Sequence, residues 1–159
     1  MNYLFICAAV IGINPGDFIL TRNAGDERNN PSPGWWNHSA VYIGDGKIVE
    51  AIIGKGVILS NLKDLWDKKP YVLVLRPKDN STDKARAVSE AARRLVGQSY
   101  KKQSSIWFFL FEFGEGNNCV TVLRKCYCHA YGGDPWWTKP DDIAVDWKMM
   151  YVESKGLQK

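Results

Sequence analysis

The first half of the chain alternates between short apolar runs and clusters of Gly, Pro, Asp and Asn. Short runs rich in β-branched and aromatic side chains, bounded by such turn residues, are typical of strands. We therefore expect strands at residues 18–21, 57–59 and 71–75. A hairpin is expected as well, with its two strands flanking Gly44-Asp45-Gly46.

Helical spacing dominates residues 81–96, where apolar side chains recur every three or four positions. Ser81 or Thr82 can cap the start of this helix and Gly97 can stop it. A second helix is expected to begin at Cys119, after a Gly-Glu-Gly-Asn-Asn turn. Shorter helical segments are expected at residues 61–66 and 141–151, followed by a frayed tail over 153–159.

Composition limits the classes of protein that fit. With 159 residues, 45% hydrophobic and 24% charged, the chain is typical of one soluble globular domain, residues 1–159. The formal charge of +4 is spread along the chain, whereas nucleic-acid-binding proteins show a dense basic stripe. The four cysteines, at positions 7, 119, 126 and 128, do not form a disulfide-scaffold pattern. We expect a reduced interior and no nucleic-acid partner.

The apolar start of the chain, residues 3–13, has no basic residue before it and runs almost directly into the first expected strand. It does not match a signal peptide, and it is about half as long as the roughly 20 residues that a membrane span needs. We interpret it as a helix or strand of the fold without a transmembrane segment. A cytoplasmic location is favoured, with export left open.

The hairpin carries a histidine and a carboxylate. If all three residues of the Gly-Asp-Gly sequence form the loop, Ala40 faces Glu50, and His38 lies on the same face as Glu50. A two-residue loop would place them on opposite faces. A carboxylate beside an imidazole fixes its tautomer and raises its basicity, as in the triads of nucleophilic enzymes. A structural pair is the alternative.

Cys119 is the candidate nucleophile. Unpaired backbone N–H groups and the positive end of the dipole at a helix start favour a thiolate and, later, an oxyanion. The alternative is a small residue simply packed there. A nucleophile needs a base, and the chain has only two histidines, His38 and His129. His129 lies ten residues along the same helix, about 15 Å of rise, which leaves His38.

The sequence Cys126-Tyr127-Cys128-His129 raises the possibility of a metal site, because thiolates and imidazoles bind zinc. Side chains at consecutive helical positions do not converge on one ion, and no second ligand pair stands elsewhere in the sequence. Cys126 is expected to be a core thiol, since it lies seven residues after Cys119 on about the same helical face. We expect no metal and no other cofactor.

Two tryptophan pairs stand in polar loops. Trp35-Trp36 closes the loop over residues 24–36, and Trp136-Trp137 lies between two prolines. A loop this long within a domain is usually functional or mobile, and tryptophans at its end can line a binding groove. Packing on the core is the alternative. An aromatic block at residues 107–113 has the same two interpretations, core or a channel for an acyl chain or an aromatic side chain.

Together these motifs resemble the NlpC-type papain-fold superfamily, over roughly residues 16–131. In ordinary papain-like enzymes the cysteine comes first, whereas here it follows the histidine and the carboxylate. This order resembles the circularly permuted branch that contains YiiX-like proteins and lecithin retinol acyltransferase. The resemblance is carried by residues 16–20, 38–51, 56–57, 97–100 and 118–119.

The chain departs from the family pattern at two positions. Val120 follows the candidate nucleophile where many relatives have serine, and Ser39 follows the candidate base where many have valine. Neither change removes a catalytic group.

The resemblance implies an α+β permuted papain-like fold, in which an antiparallel sheet or partial barrel packs against helices and the nucleophile begins a helix. It implies Cys119 as nucleophile, His38 as general base and acid, and Glu50 as the third triad residue. The implied function is a cysteine hydrolase, an amidase or peptidase that cleaves an amide or peptide bond, with cell-wall peptides among the substrates.

Two other functions fit the same residues. One is a lipid acyl hydrolase, acyltransferase or thioesterase, and the other is a non-catalytic module that binds a lipid or peptide. In each case the partner is a peptide or an acyl-bearing small molecule. The expected substrate-binding residues are Trp35, Trp36, Tyr100 and Trp136.

Overall fold

The computed structural model of the protein describes residues 12–22, 34–100 and 117–157. The strands are β1 (Phe18–Arg22), β2 (His38–Gly44), β3 (Lys47–Ile52), β4 (Gly56–Asn61), β5 (Tyr71–Pro77) and β6 (Met149–Lys155). The helices are α1 (Leu62–Lys68), α2 (Thr82–Leu95), α3 (Cys119–Tyr131) and α4 (Pro140–Ala144). The strands form one antiparallel, open sheet in the order β4-β3-β2-β1-β5-β6. The mixed α+β architecture expected from the resemblance is confirmed.

Both faces of the sheet bury apolar side chains, which explains why several strands read as continuous apolar runs. One face packs against α2 and α3, and the other packs against α1. Strand residues of the first face are Phe18, Leu20, Val41, Ile43, Val49, Ala51, Leu73 and Leu75. Strand residues of the second face are Ile19, Ala40, Ile48, Val72 and Val74.

The β2–β3 hairpin combines a two-residue loop with the register expected for a three-residue loop. Ala40 pairs with Glu50. The loop contains only Asp45 and Gly46, whose φ values of 53° and 69° suit a tight hairpin turn. The register shifts between Tyr42 and Gly44, so β2 contains one extra residue there. This bulge restores the pairing that a three-residue loop would have given.

Helix α2 confirms the helix expected at residues 81–96. The Ser81 side chain accepts a hydrogen bond from the Lys84 backbone N–H at 3.3 Å, so Ser81 is the cap. The predicted strands at 18–21, 57–59 and 71–75 lie within β1, β4 and β5, and the segment at 61–66 overlaps α1.

The helix predicted over residues 141–151 is confirmed only as far as Ala144 and is wrong beyond it. Helix α4 ends at Ala144, because the Asp146 carboxylate bends the chain by accepting hydrogen bonds from Trp137 Nε1 and the Lys148 backbone N–H, both at 2.8 Å. The next residues form β6, which pairs with β5. The tail expected to fray from residue 153 therefore belongs to the sheet as far as Lys155.

Several predictions fall outside the described residues. They concern residues 3–11 of the apolar start, most of the loop over 24–36 and the aromatic block at 107–113. Within the ranges that the structure describes, no helix is long and apolar enough to cross a membrane.

A largely buried ion pair joins β5 to Asp17, the residue immediately before β1. Arg76 donates to Asp17 Oδ1 through Nε and to Oδ2 through Nη2, each at 2.7 Å, and the Asn14 backbone N–H donates to Oδ2 at 2.8 Å. Asp17 is completely buried. Burial raises the pKa of Asp17 despite the opposing effect of Arg76. Breaking such a pair leaves a charge without compensation in the interior.

We expect Arg76→Met to lower the free energy of unfolding by about 3–5 kcal/mol at pH 7. Without its cation, Asp17 should have a still higher pKa, and a protonated carboxyl costs less to bury. The loss should therefore shrink as the pH falls from 7 to 5, as measured by urea unfolding. Arg86→Met is the control, because Arg86 pairs with Asp83 on the surface, and it should cost less than about 1 kcal/mol. Equal losses in the two variants would contradict this role.

Candidate active site

Cys119 begins helix α3, as the sequence predicts. The side chain of Asn118 caps the helix by accepting hydrogen bonds from the Thr121 backbone N–H at 2.8 Å and from Thr121 Oγ1 at 3.0 Å. The thiol is partly buried at the positive end of the helix dipole. This position favours a negatively charged sulfur.

The hairpin brings His38 and Glu50 together. His38 Nε2 lies 2.7 Å from Glu50 Oε2, and the side chains are only 16% and 11% exposed. The contact follows from the Ala40–Glu50 pairing, because His38 and Ala40 point to the same face. His38 is the first residue of β2, so its ring lies at the end of the strand and reaches the thiol at the start of α3.

The imidazole and the thiol change each other's proton affinity. Burial alone would lower the pKa of His38, but hydrogen bonds to Cys119 and Glu50 outweigh it and raise the pKa to about 9. Burial alone would raise the pKa of Cys119, but His38 and, to a smaller extent, Ser39 bring it below the ordinary value. Both shifts favour a thiolate beside an imidazolium.

Two residues that were not predicted from the sequence, Ser60 and Lys69, help to lower the pKa of Glu50. Burial alone would raise the pKa of Glu50, but His38, the Ser60 hydroxyl and the charge of Lys69 together lower it. Ser60 lies two positions beyond Ile58, the β4 partner of Glu50, so strand alternation would have placed it on the same face. Lys69 follows α1 and comes close only in the tertiary fold.

Tyr100 lies beside the nucleophile. It forms an isolated bridge with Asn117, two residues before Cys119. Burial, together with the charge of the nearby Cys119, raises the pKa of Tyr100 to about 12. Of the predicted substrate-binding residues, Tyr100 is therefore the one that the structure places next to the thiol.

The loop that carries Tyr100 is held against β4. The Val57 backbone N–H donates to the Gln98 carbonyl oxygen at 2.8 Å, and the Gly97 N–H donates to the Val57 carbonyl oxygen at 2.9 Å. Gly56 permits this approach, because a Cβ there would lie 2.4 Å from the Gln98 oxygen and the φ of Gly56 is +81°. Asn117 Nδ2 completes the contact by donating to Gln98 Oε1 at 2.7 Å.

The predicted tryptophans lie in different environments. Trp36 is 5% exposed and belongs to the core, which matches the packing alternative and leaves it little surface for a ligand. Trp35 is half-exposed beneath the Arg22 guanidinium, whose carbon lies 4.1 Å from the ring centroid, and it contacts Tyr71 edge-on. Trp136 is 61% exposed. A substrate-binding role for Trp35 and Trp136 stays a prediction.

The cysteine-rich part of α3 does not converge on one point. Cys126 is buried in the core, as expected, whereas Cys128 Sγ donates to Asp134 Oδ1 at 3.6 Å and His129 is exposed. Among the described residues, no group of three or more His, Cys, Asp and Glu side chains is arranged to hold a metal ion. These residues do not fit a metal centre.

Comparison with known proteins supports the fold and the family. The crystal structure of the metalloprotein yiiX from Escherichia coli O157:H7 matches with a TM-score of 0.68, over 89% of this chain and 97% of that chain, at 14% sequence identity. At this identity the likeness concerns the fold. A search of curated proteins finds no match. The model of the permuted papain-like amidase enzymes of the YaeF/YiiX type, the C92 family, matches residues 12–133. Since this match spans most of the chain, the protein belongs to the family of permuted papain-like amidases.

Proposed function

We propose that the protein is a cysteine-dependent amidase or peptidase, with Cys119 as nucleophile, His38 as general acid and base, and Glu50 as the residue that orients the imidazole. The observation that carries the proposal is the position of His38, whose Nε2 lies 2.7 Å from Glu50 Oε2 and whose ring lies close enough to Cys119 for each group to shift the pKa of the other. A nucleophile, a base and an orienting carboxylate in contact are the requirement for covalent acyl transfer.

The first half of the reaction forms an acyl-enzyme. The Cys119 thiolate attacks the substrate carbonyl carbon, and a C–S bond forms as the carbonyl oxygen takes up the negative charge. The backbone N–H of Cys119, at the start of α3, is the donor expected to hold that oxyanion. The imidazolium of His38 then gives its proton to the leaving nitrogen, and the C–N bond breaks.

The second half returns the enzyme to its starting state. Acylation removes the negative charge from sulfur, and with it one of the interactions that raise the pKa of His38. The neutral imidazole can then take a proton from water, whose oxygen attacks the thioester carbon. The C–S bond breaks and the thiolate is restored beside the imidazolium.

The proton affinity of His38 supports an amide as the substrate. An amine leaves only with a proton, and an imidazole whose pKa is about 9 carries that proton at neutral pH. Membership of a family of permuted papain-like amidases supports this choice. Cell-wall peptides are the amide substrates that we would test first.

Cys119 should react with iodoacetamide at a pH well below the pKa of about 8.5 of a free thiol. His38→Ala should move the onset upward, because the thiolate loses its cationic partner. Peptide mass spectrometry across a pH series measures both.

Two controls come from the same chain. Burial raises the pKa of Cys128, so this thiol should react only at higher pH, and His129→Ala should leave the onset of Cys119 unchanged. If Cys119 and Cys128 react alike in the wild-type protein, a binding module would be the better interpretation and the proposal would fail.

Activity against pH should follow a bell-shaped curve. At low pH the thiol of Cys119 is protonated and inactive, and above about pH 9 His38 loses the proton that the leaving amine needs. Glu50→Gln should lower kcat by on the order of 10²–10⁴ and move the alkaline limb to lower pH, since a carboxylate no longer stabilises the imidazolium. An unchanged alkaline limb in this variant would show that Glu50 does not act on His38.

A substrate panel with intact-mass detection should distinguish the acyl donors. We expect peptide amides to leave a transient thioester on Cys119, seen as the added mass of the acyl part and absent from Cys119→Ala. Lipid esters and thioesters serve as competing donors. Adducts from the lipid donors alone would overturn the assignment as an amidase and leave a cysteine acyl hydrolase in its place.

A further inference from the structure

Ser39 is a buried polar residue that the proposed mechanism does not use. Its side chain is completely buried. Its Oγ has no hydrogen-bond partner among the described residues. A hydroxyl buried in this way loses its bonds to water without replacing them, which costs free energy. Such a group is expected to serve another interaction.

The position of Ser39 on β2 directs this hydroxyl toward helix α3. Neighbouring residues of a strand point to opposite faces. Ser39 therefore shares the face of Val41 and Ile43, which pack in the same core as Val120 at the start of α3. His38 shares the face of Glu50 instead. Ser39 also lies one residue beyond Ala40, where the pairing of β2 with β3 ends.

We propose that the Ser39 hydroxyl, which has no partner in the part of the chain that the structure describes, turns to donate a hydrogen bond to the Cys119 thiolate, on a different side of the sulfur from the His38 imidazole. Ser39 is then a positioning residue that stabilises the nucleophile in its charged form. The inference rests on the proposed function, because the thiolate is the reacting species in that reaction. The lowered pKa of Cys119 agrees, since both the hydroxyl and the backbone N–H of Ser39 contribute to it after His38.

A second donor matters most when the acyl-enzyme breaks down. The sulfur that leaves the thioester must then become an anion again, beside an imidazole that has just taken a proton from water. A hydroxyl donor keeps its hydrogen throughout, so it stabilises the departing thiolate whatever the state of the imidazole. Ser39 should therefore favour breakdown of the acyl-enzyme.

The test uses variants that differ only in the hydroxyl. Ser39→Thr and Ser39→Val have side chains of nearly the same shape, and only threonine can donate. Ser39→Ala removes the oxygen without adding volume. The readout is the pH at which Cys119 begins to react with iodoacetamide, with Cys128 in the same sample as the internal standard.

We expect Ser39→Val and Ser39→Ala to raise the onset for Cys119 by about one pH unit, as for the loss of one hydrogen bond to a charged group. Ser39→Thr should keep the wild-type onset. Breakdown of the acyl-enzyme should slow in the valine variant relative to the threonine variant.

Two failures can be told apart. Equal onsets in the threonine and valine variants, with His38→Ala still raising the onset, would overturn the role of Ser39 and leave the proposed function standing. A wild-type Cys119 that reacts like Cys128 would overturn the proposed function itself. Repacking around residue 39 affects threonine and valine equally, so it would not separate the two variants.

Discussion

The register of the β2–β3 hairpin is the constraint on which the candidate site depends. Side chains alternate along a strand, so a slip of one residue would send His38 and Glu50 to opposite faces of the sheet. The two-residue turn would by itself produce that wrong pairing. The bulge between Tyr42 and Gly44 corrects it, because one extra residue in β2 shifts the pairing back to Ala40–Glu50. A local irregularity of the backbone thus sets the geometry of the proposed acid and base.

The second requirement is that burial should not remove the charges of the three side chains of the candidate site. Burial opposes the charge on Cys119, His38 and Glu50, and in each case a neighbour shifts the pKa back toward the charged form. The His38 ring is central to this arrangement, since its Nε2 lies 2.7 Å from the Glu50 carboxylate and its charge favours the thiolate of Cys119. The charged forms of Cys119, His38 and Glu50 stabilise one another through His38, so removing one of these side chains changes the proton affinity of the others.

Much of this site could be predicted from local sequence. The glycine-rich turn identified the hairpin, and the Asn-Cys pair before an apolar stretch identified the start of α3, because capping and turn chemistry involve residues close together in the chain. The sequence left two loop lengths open, each with its own register. The structure has the shorter loop with the Ala40–Glu50 pairing of the longer one, since a bulge and a longer loop have the same effect on pairing.

Features that depend on distant contacts could not be predicted. Asp146 ends α4 through Trp137 and Lys148, and the following residues form a strand only because β5 offers an edge to pair with. Trp35 and Trp36 are neighbours in sequence, but one is half-exposed and the other is in the core. Lys69 reaches Glu50 only through the packing of α1 on the sheet. Contacts between residues far apart in the chain cannot be predicted from composition or from hydrophobic periodicity.

The late position of β6 has a consequence for biosynthesis. The hairpin that holds His38 and Glu50 is local and can form as soon as it leaves the ribosome, but the outer edge of β5 has no partner until residues 149–155 have been made. An unpaired edge rich in Val and Leu is a template for association with other chains. The outer edge of β5 is therefore expected to be open to such association while the second half of the chain is being made.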